Sequence, residues 1–160
     1  MPVLIDGYNL YHYAKALYQE DRVALALPAF CRIVAEWTNQ SKEKVLMVFD
    51  GNVPPPLRQN ARSYGPVALE FTGQRCDADT AIELYIARSS APKLLQVVST
   101  DRRVRTAAKK RACKVVTSDQ FWLKMARKLT RKKAKPEPRE KTSGLLSHER
   151  DYWLKVFGLE

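Results

Sequence analysis

Residues 45–51 read VLMVFDG, five apolar side chains running straight into an aspartate and a glycine. A strand that is apolar on both faces belongs inside a parallel sheet covered by helices, because a sheet with one wet face alternates polar and apolar residues. Toward the N-terminus, residues 3–7 repeat the pattern as VLIDG. Toward the C-terminus, KLLQVVSTD at 93–101 and CKVVTSD at 113–119 are further apolar strands that close on an aspartate. A shorter strand falls around Val67 to Phe71.

Helical spacing fills the intervals. With Asn9 as N-cap, the segment to about Gln19 places Leu10, Tyr11, Ala14, Leu17 and Tyr18 on one stripe. Pro28 suits the first turn of a second helix with Phe30, Ile33, Val34 and Trp37 inward, ending in TNQSKEK. Asp77 or Asp79 opens a third, with Ile82, Tyr85 and Ile86 on its inner face. RRVRTAAKKRA at 102–112 is a basic helix, and the helix from 120 turns Phe121, Trp122, Met125 and Leu129 inward. NVPPPLRQNARSYG at 52–65 is expected to be an extended surface loop, since Pro54, Pro55 and Pro56 withhold backbone donors. Strands alternating with helices at short spacing predict an α/β fold with a mainly parallel sheet.

The 160 residues suffice for one domain with a real core. AKPEPREKTSG at 134–144 reads as a polar linker, followed by a short amphipathic helix with Tyr152, Trp153, Val156 and Phe157 on one stripe. Docking of that helix on its own domain is expected over base stacking by Trp153 and Phe157. No apolar run is long enough to span a membrane, and a polar DGYN interrupts the N-terminal run too early for a signal peptide, so a cytoplasmic protein is expected. Cys31, Cys76 and Cys113 are scattered without a CxxC pair, which argues against a disulfide framework and a zinc knuckle. His12 and His148 suggest no metal pair.

Charge separates the chain into two regions. There are 28 basic and 17 acidic residues, a net +11, but residues 102–141 alone hold 16 Lys/Arg against three acids. A nearly neutral domain with one strongly basic segment is the footprint of a protein that meets a polyanion, nucleic acid above all; a solvated helix face with a flexible tail is the alternative. Arg102, Arg103, Arg105, Lys109, Lys110, Lys124, Arg127 and Lys128 are the candidate nucleic-acid contacts.

Six of the eight aspartates fall at strand ends or at one helix start: Asp6, Asp50, Asp77, Asp79, Asp101 and Asp119, with Glu83 one turn beyond Asp79. In an open parallel sheet the ligand crevice lies outside the carboxyl ends of the strands. Any one aspartate there is explained by turns and caps, and Asp119, following Ser118 at a helix start, fits that explanation best. Several together repel one another unless a cation sits between them. Hard oxygen donors without His or Cys point to Mg²⁺ or Mn²⁺, which can activate a water and stabilise a phosphodiester under attack. No GxxxxGK[ST] loop, GxGxxG or GxSxG is present.

LIDGYNL, VFDG, ADTAIE and VVSTDRRV…ACKVVTSDQF, in that order, resemble the NYN domain of the PIN-like nuclease superfamily, in its YacP-like branch, from about residue 2 to about 130. The resemblance implies a PIN-like three-layer sandwich over residues 1–133, with 134–160 as a basic linker and C-terminal helix outside it. It also implies a metal-dependent endoribonuclease. Asp6 matches the first-strand acid, Asn9 the polar residue of that motif, Asp50 the FDG aspartate, Asp79 the helix-start acid, Glu83 the glutamate of the helix motif and Asp101 the acid after the later strand. Asp6, Asp79 and Asp101 are then the central metal ligands; Asp50, Asp77, Glu83 and Asn9 are supporting ligands or water-positioning groups. The chain departs from the family at Thr80, where a second acid is common and Asp77 is the substitute. It departs again at Arg111 or Ala112, where a glycine is common, so the preceding helix is expected to end without a left-handed cap. The alternatives are a non-catalytic RNA-binding or ribosome-associated module, and a DNA-directed nuclease. The sequence leaves the oligomeric state open.

Overall fold

The computed structural model describes residues 1–134; the terminal helix expected further on lies outside the described residues. Its elements are β1 (Val3–Asp6), α1 (Gly7–Glu20), α2 (Leu27–Ser41), β2 (Val45–Phe49), β3 (Ser63–Tyr64), β4 (Val67–Phe71), α3 (Ala78–Arg88), β5 (Gln96–Val98), α4 (Arg102–Lys110), β6 (Lys114–Val116) and α5 (Ser118–Ala134). Six strands form one sheet in the order β3-β4-β2-β1-β5-β6. Every neighbouring pair is parallel except β3 with β4. The mainly parallel sheet between two helical layers agrees with the sequence reading.

Both faces of the central strands are dry, as the unbroken apolar runs require. Val3, Ile5, Met47 and Phe49 face the core built with α1, α2 and α5. Leu4, Val48 and Val97 face the smaller core built with α3 and α4. On the larger face, Phe30 stacks near Trp122 with centroids 6.1 Å apart, and Trp37 meets Phe121 edge-on at 5.1 Å.

Strand order positions the site. β1 lies between β2 and β5. The chain leaves β1 through α1 and α2 on one face, then crosses from β4 to β5 through α3 on the other. The helices that follow β1 and β5 therefore depart on opposite faces and leave a crevice between the carboxyl ends of those two strands.

Four local expectations need correction. Asn9 is not the N-cap of α1: the helix begins at Gly7, and Asp6 holds the cap position with extended backbone. The triple proline does not leave a plain extended loop, because Pro55–Asn60 winds into a 3-10 turn that buries Leu57 completely. Proline tolerates the start of such a turn, where its missing N–H has no partner to lose. Tyr85 is 40% exposed, since the inner face of α3 is made by Ala78, Ala81, Ile82 and Ile86. Two small alanines mark that face, which a reading of large apolar residues overlooks.

The end of α4 also differs from the sequence reading. Ala112 does adopt the left-handed conformation, with φ 59. The Cys113 N–H reaches the Ala108 carbonyl at 2.9 Å and the Ala112 N–H reaches Lys109 at 3.0 Å, the paired bonds of a glycine-type helix stop. Ala112→Gly relieves the Cβ penalty of that conformation and is expected to stabilise the protein by about 1 kcal/mol. A raised urea midpoint with an unchanged slope is the check.

Candidate active site

Asp6 ends β1 in the helix-cap position with extended backbone. It turns toward β5, where Ser99 Oγ donates to Asp6 Oδ2 at 3.0 Å. The same Ser99 oxygen accepts the Asp101 N–H at 3.0 Å, and Asp101 Oδ1 in turn accepts the Val104 N–H at 3.2 Å, capping α4. One buried hydroxyl thus links the two strand ends that flank the crevice. Asp6 is only 7% exposed.

Electrostatics shows which acids share the site. Burial raises the Asp6 carboxyl from 3.8 to about 6; the Ser99 bond opposes this, and the charges of Asp79 and Asp101 add to it. Asp79, in the first turn of α3, is also pushed upward, by burial, then by Asp101 and Asp77, with Arg103 opposing and Glu83 adding. The charges of Asp79 and Asp101 therefore both act on Asp6 across the crevice, and that of Asp101 acts on Asp79 as well.

Asp77 and Glu83 have a different neighbour. Arg103 of α4 donates to Glu83 through Nε at 2.5 Å and Nη2 at 3.3 Å, donates to Thr80 Oγ1 at 3.1 Å, and lies 3.6 Å from Asp77 Oδ2. Asp77 caps α3 by accepting the Thr80 N–H at 2.7 Å, and its pKa is lowered first by the Thr80 side-chain hydroxyl and next by that N–H bond. The Arg103 guanidinium, a candidate nucleic-acid contact in the sequence, is instead held between two of the candidate acids. Thr80, where a second acid is common, serves as one of its acceptors.

Asn9 braces the site from behind. Its Oδ1 accepts the Thr100 N–H at 2.9 Å and the Ser118 hydroxyl at 2.5 Å, tying α1 to the β5 loop and the start of α5. Asp50, exposed at the end of β2, accepts from Thr72 Oγ1 at 3.4 Å; it is not among the charges acting on Asp6. Asp119 sits in the first turn of α5 with its pKa lowered first by a Thr117 hydrogen bond, in keeping with a helix-start role.

The basic segment does not form a single patch. α4 packs with α3 on one face of the sheet, and α5 packs with α1 and α2 on the other. Arg102 and Lys110, with Glu83, Asp101 and Thr106, line an open groove of about 690 Å³ beside the crevice. Arg105 is half-buried, whereas Lys109, Lys124, Arg127 and Lys128 are exposed. Ser99, Ser118 and Thr100 are participants that the sequence reading missed. Their one local signal is hydroxyl residues flanking an aspartate just past a strand, which ordinary turns share.

Three carboxylates suit a hard cation by donor chemistry, and their mutual pressure is what such a cation would relieve. Among the described residues, no group of three His, Cys, Asp or Glu side chains is arranged to hold an ion directly. The donor set fits an ion that retains several of its waters, as Mg²⁺ does. No helix among the described residues is long and apolar enough to cross a membrane.

No curated protein matches the chain. Among solved structures, Rae1 (YacP) from Bacillus subtilis is similar with a TM-score of 0.61 at 21% identity, over 82% of this chain and 79% of that one. A tryptophan-to-leucine mutant of the same protein is similar with a TM-score of 0.59 at 21% identity, over 98% and 91%. Those likenesses bear on the fold. The family model described as the YacP-like NYN domain matches residues 3–154, well past the last motif quoted above. With nearly its whole length matched, the chain belongs to the YacP-like NYN domain family, a nuclease-type family.

Proposed function

We propose that this protein is an endoribonuclease that hydrolyses RNA phosphodiester bonds with the help of Mg²⁺ or Mn²⁺. The observation that carries the reading is the meeting of Asp6, Asp79 and Asp101 at the β1/β5 crevice, where each other's charge and burial hold Asp6 and Asp79 above the ordinary carboxylate range. When bound, the cation activates water and offsets the charge that develops on the phosphate. Asp6, Asp79 and Asp101 would hold it. Ser99 fixes the rotamer of Asp6 and the start of α4, and Asn9 fixes the loop that carries Asp101. Arg102 and Lys110, beside the crevice, would grip the RNA backbone that the acids alone repel. Arg103 keeps Glu83 and Asp77 neutralised and α3 locked to α4.

A second reading, an RNA-binding or ribosome-associated module without cleavage, draws on the lack of a three-ligand ion site among the described residues and on the ion pairs that occupy Glu83 and Asp77. An RNA cleavage assay with EDTA and Mn²⁺ arms, and a matched DNA strand, separates the two. Asp79→Asn is expected to lose at least about 100-fold in cleavage, more than the outer partners of a metal usually command. RNA binding should remain within about twofold, because exposed Lys and Arg supply it. Cleavage that persists in EDTA, or in Asp79→Asn, rejects the metal-dependent reading.

A further inference from the structure

The outer side of α1 carries rings that the acidic crevice does not use. Tyr8 and His12, one helical turn apart, lie with centroids 5.8 Å apart and planes inclined by only 21°. Tyr11 completes a triangle, 6.4 Å from Tyr8 and 5.8 Å from His12. The Tyr8 ring is backed edge-on by buried Phe49 at 4.9 Å, which fixes it from behind. His12 is exposed, and Tyr8 and Tyr11 are half-buried. Lys15 holds its ammonium 5.9 Å from the Tyr11 centroid, and Tyr11, Lys15, Gln19 and Arg22 line an open groove leading away.

This ledge borders the crevice. Tyr8 is two residues from Asp6, and after burial the largest influence raising its phenol is the charge of Asp50 at the end of β2. Asp6 and Asp101, joined through Ser99, thus lie on the β5 flank of β1, and the rings lie on its β2 flank beside Asp50. Flat rings followed by cations match a single nucleic-acid strand: the ring faces stack on bases and the cations track phosphates. A duplex keeps its base faces stacked inside and offers none to such a ledge.

We infer that Tyr8 and His12 form a stacking subsite for one unpaired nucleobase next to the phosphodiester in the crevice. The inference rests on the nuclease reading for what occupies the crevice; the stacking itself requires no cleavage. The test therefore uses EDTA throughout, with a single-stranded RNA oligonucleotide carrying one 2-aminopurine, and the same strand annealed to its complement. Binding to the wild type should change the 2-aminopurine emission through stacking. Tyr8→Leu and His12→Ala should each lose that change and bind the single strand about 5- to 10-fold more weakly, with duplex affinity unaltered. Tyr8→Phe should behave as the wild type. His12 is exposed, so its variant keeps the test decisive if Tyr8→Leu disturbs packing on Phe49. Single-strand affinity retained by either folded variant, or an equal loss on the duplex, overturns the subsite. If the stacking difference is found while Mn²⁺ supports no cleavage, the subsite stands and the nuclease reading falls.

Discussion

Asp6→Asn is expected to abolish RNA cleavage and, in metal-free buffer at pH 8, to make the protein harder to unfold. The two effects have one cause. In the native state Asp6 titrates at about 6, against an ordinary value of 3.8, because it is buried beside Asp79 and Asp101. Its native pKa lies above its unfolded one, so its contribution to stability is fully present below about pH 4 and is lost as pH rises through about 6. Asparagine has the same shape, keeps an oxygen for the Ser99 hydroxyl and never ionises. The advantage of the variant should be near zero below pH 4 and grow to about 1–3 kcal/mol above pH 7, the upper figure being the full shift converted at 1.36 kcal/mol per unit. Urea melts at pH 4 and pH 8, with EDTA present, measure it; Mn²⁺ should narrow the difference by stabilising the wild type alone. An asparagine variant less stable than the wild type at pH 8 would show that the carboxylate is not strained in its place.

Gly7→Ala should cost the fold about 1–3 kcal/mol, the usual toll for an added group in a filled core. A Cβ on Gly7 would stand 2.5 Å from Phe49 Cε1 and 2.6 Å from Cδ1, and that ring is fully buried between Tyr8 and Phe71. The glycine of DGYN is therefore a spacing residue that lets α1 begin directly against β2. Because Gly7 adjoins Asp6, the same displacement should also reduce cleavage. Phe49→Leu vacates the contested volume, so a double-mutant cycle should show the two changes coupled, with the double variant less destabilised than the sum of the singles. Additive losses would mean that the ring is not what Gly7 makes room for.

The sheet was legible because its strands are short, apolar on both faces and punctuated by aspartate, a pattern that few other arrangements produce. The placing of Asp6 and Asp101 at one edge followed from that order, since carboxyl ends of parallel strands face the same way; the same argument gathers Asp50, which does not act on Asp6, while Asp79, in the first turn of α3, is singled out by the match to the family's helix motif. Side-chain partnerships were not legible. Ser99, Thr100 and Ser118 look like ordinary turn hydroxyls until strand order brings them opposite Asp6 and Asn9. Arg103 belongs with the basic segment by its sequence neighbours, whereas its place is set by α3 packing against α4. The basic run itself, continuous along the chain, is divided by β6 between two faces of the sheet, which charge counting along a line does not show. Ala112 shows the opposite limit: a residue type poorly suited to a left-handed stop adopts one because the chain has to turn into β6 there.

The bonds that assemble the crevice join partners 91, 93 and 109 residues apart. Contacts of such long range form late, after the cost of closing large loops has been met. A nascent polypeptide that has not yet released Ser118 from its ribosome can make the ties of Ser99 and Thr100 but lacks the last one, which braces Asn9 against the start of α5.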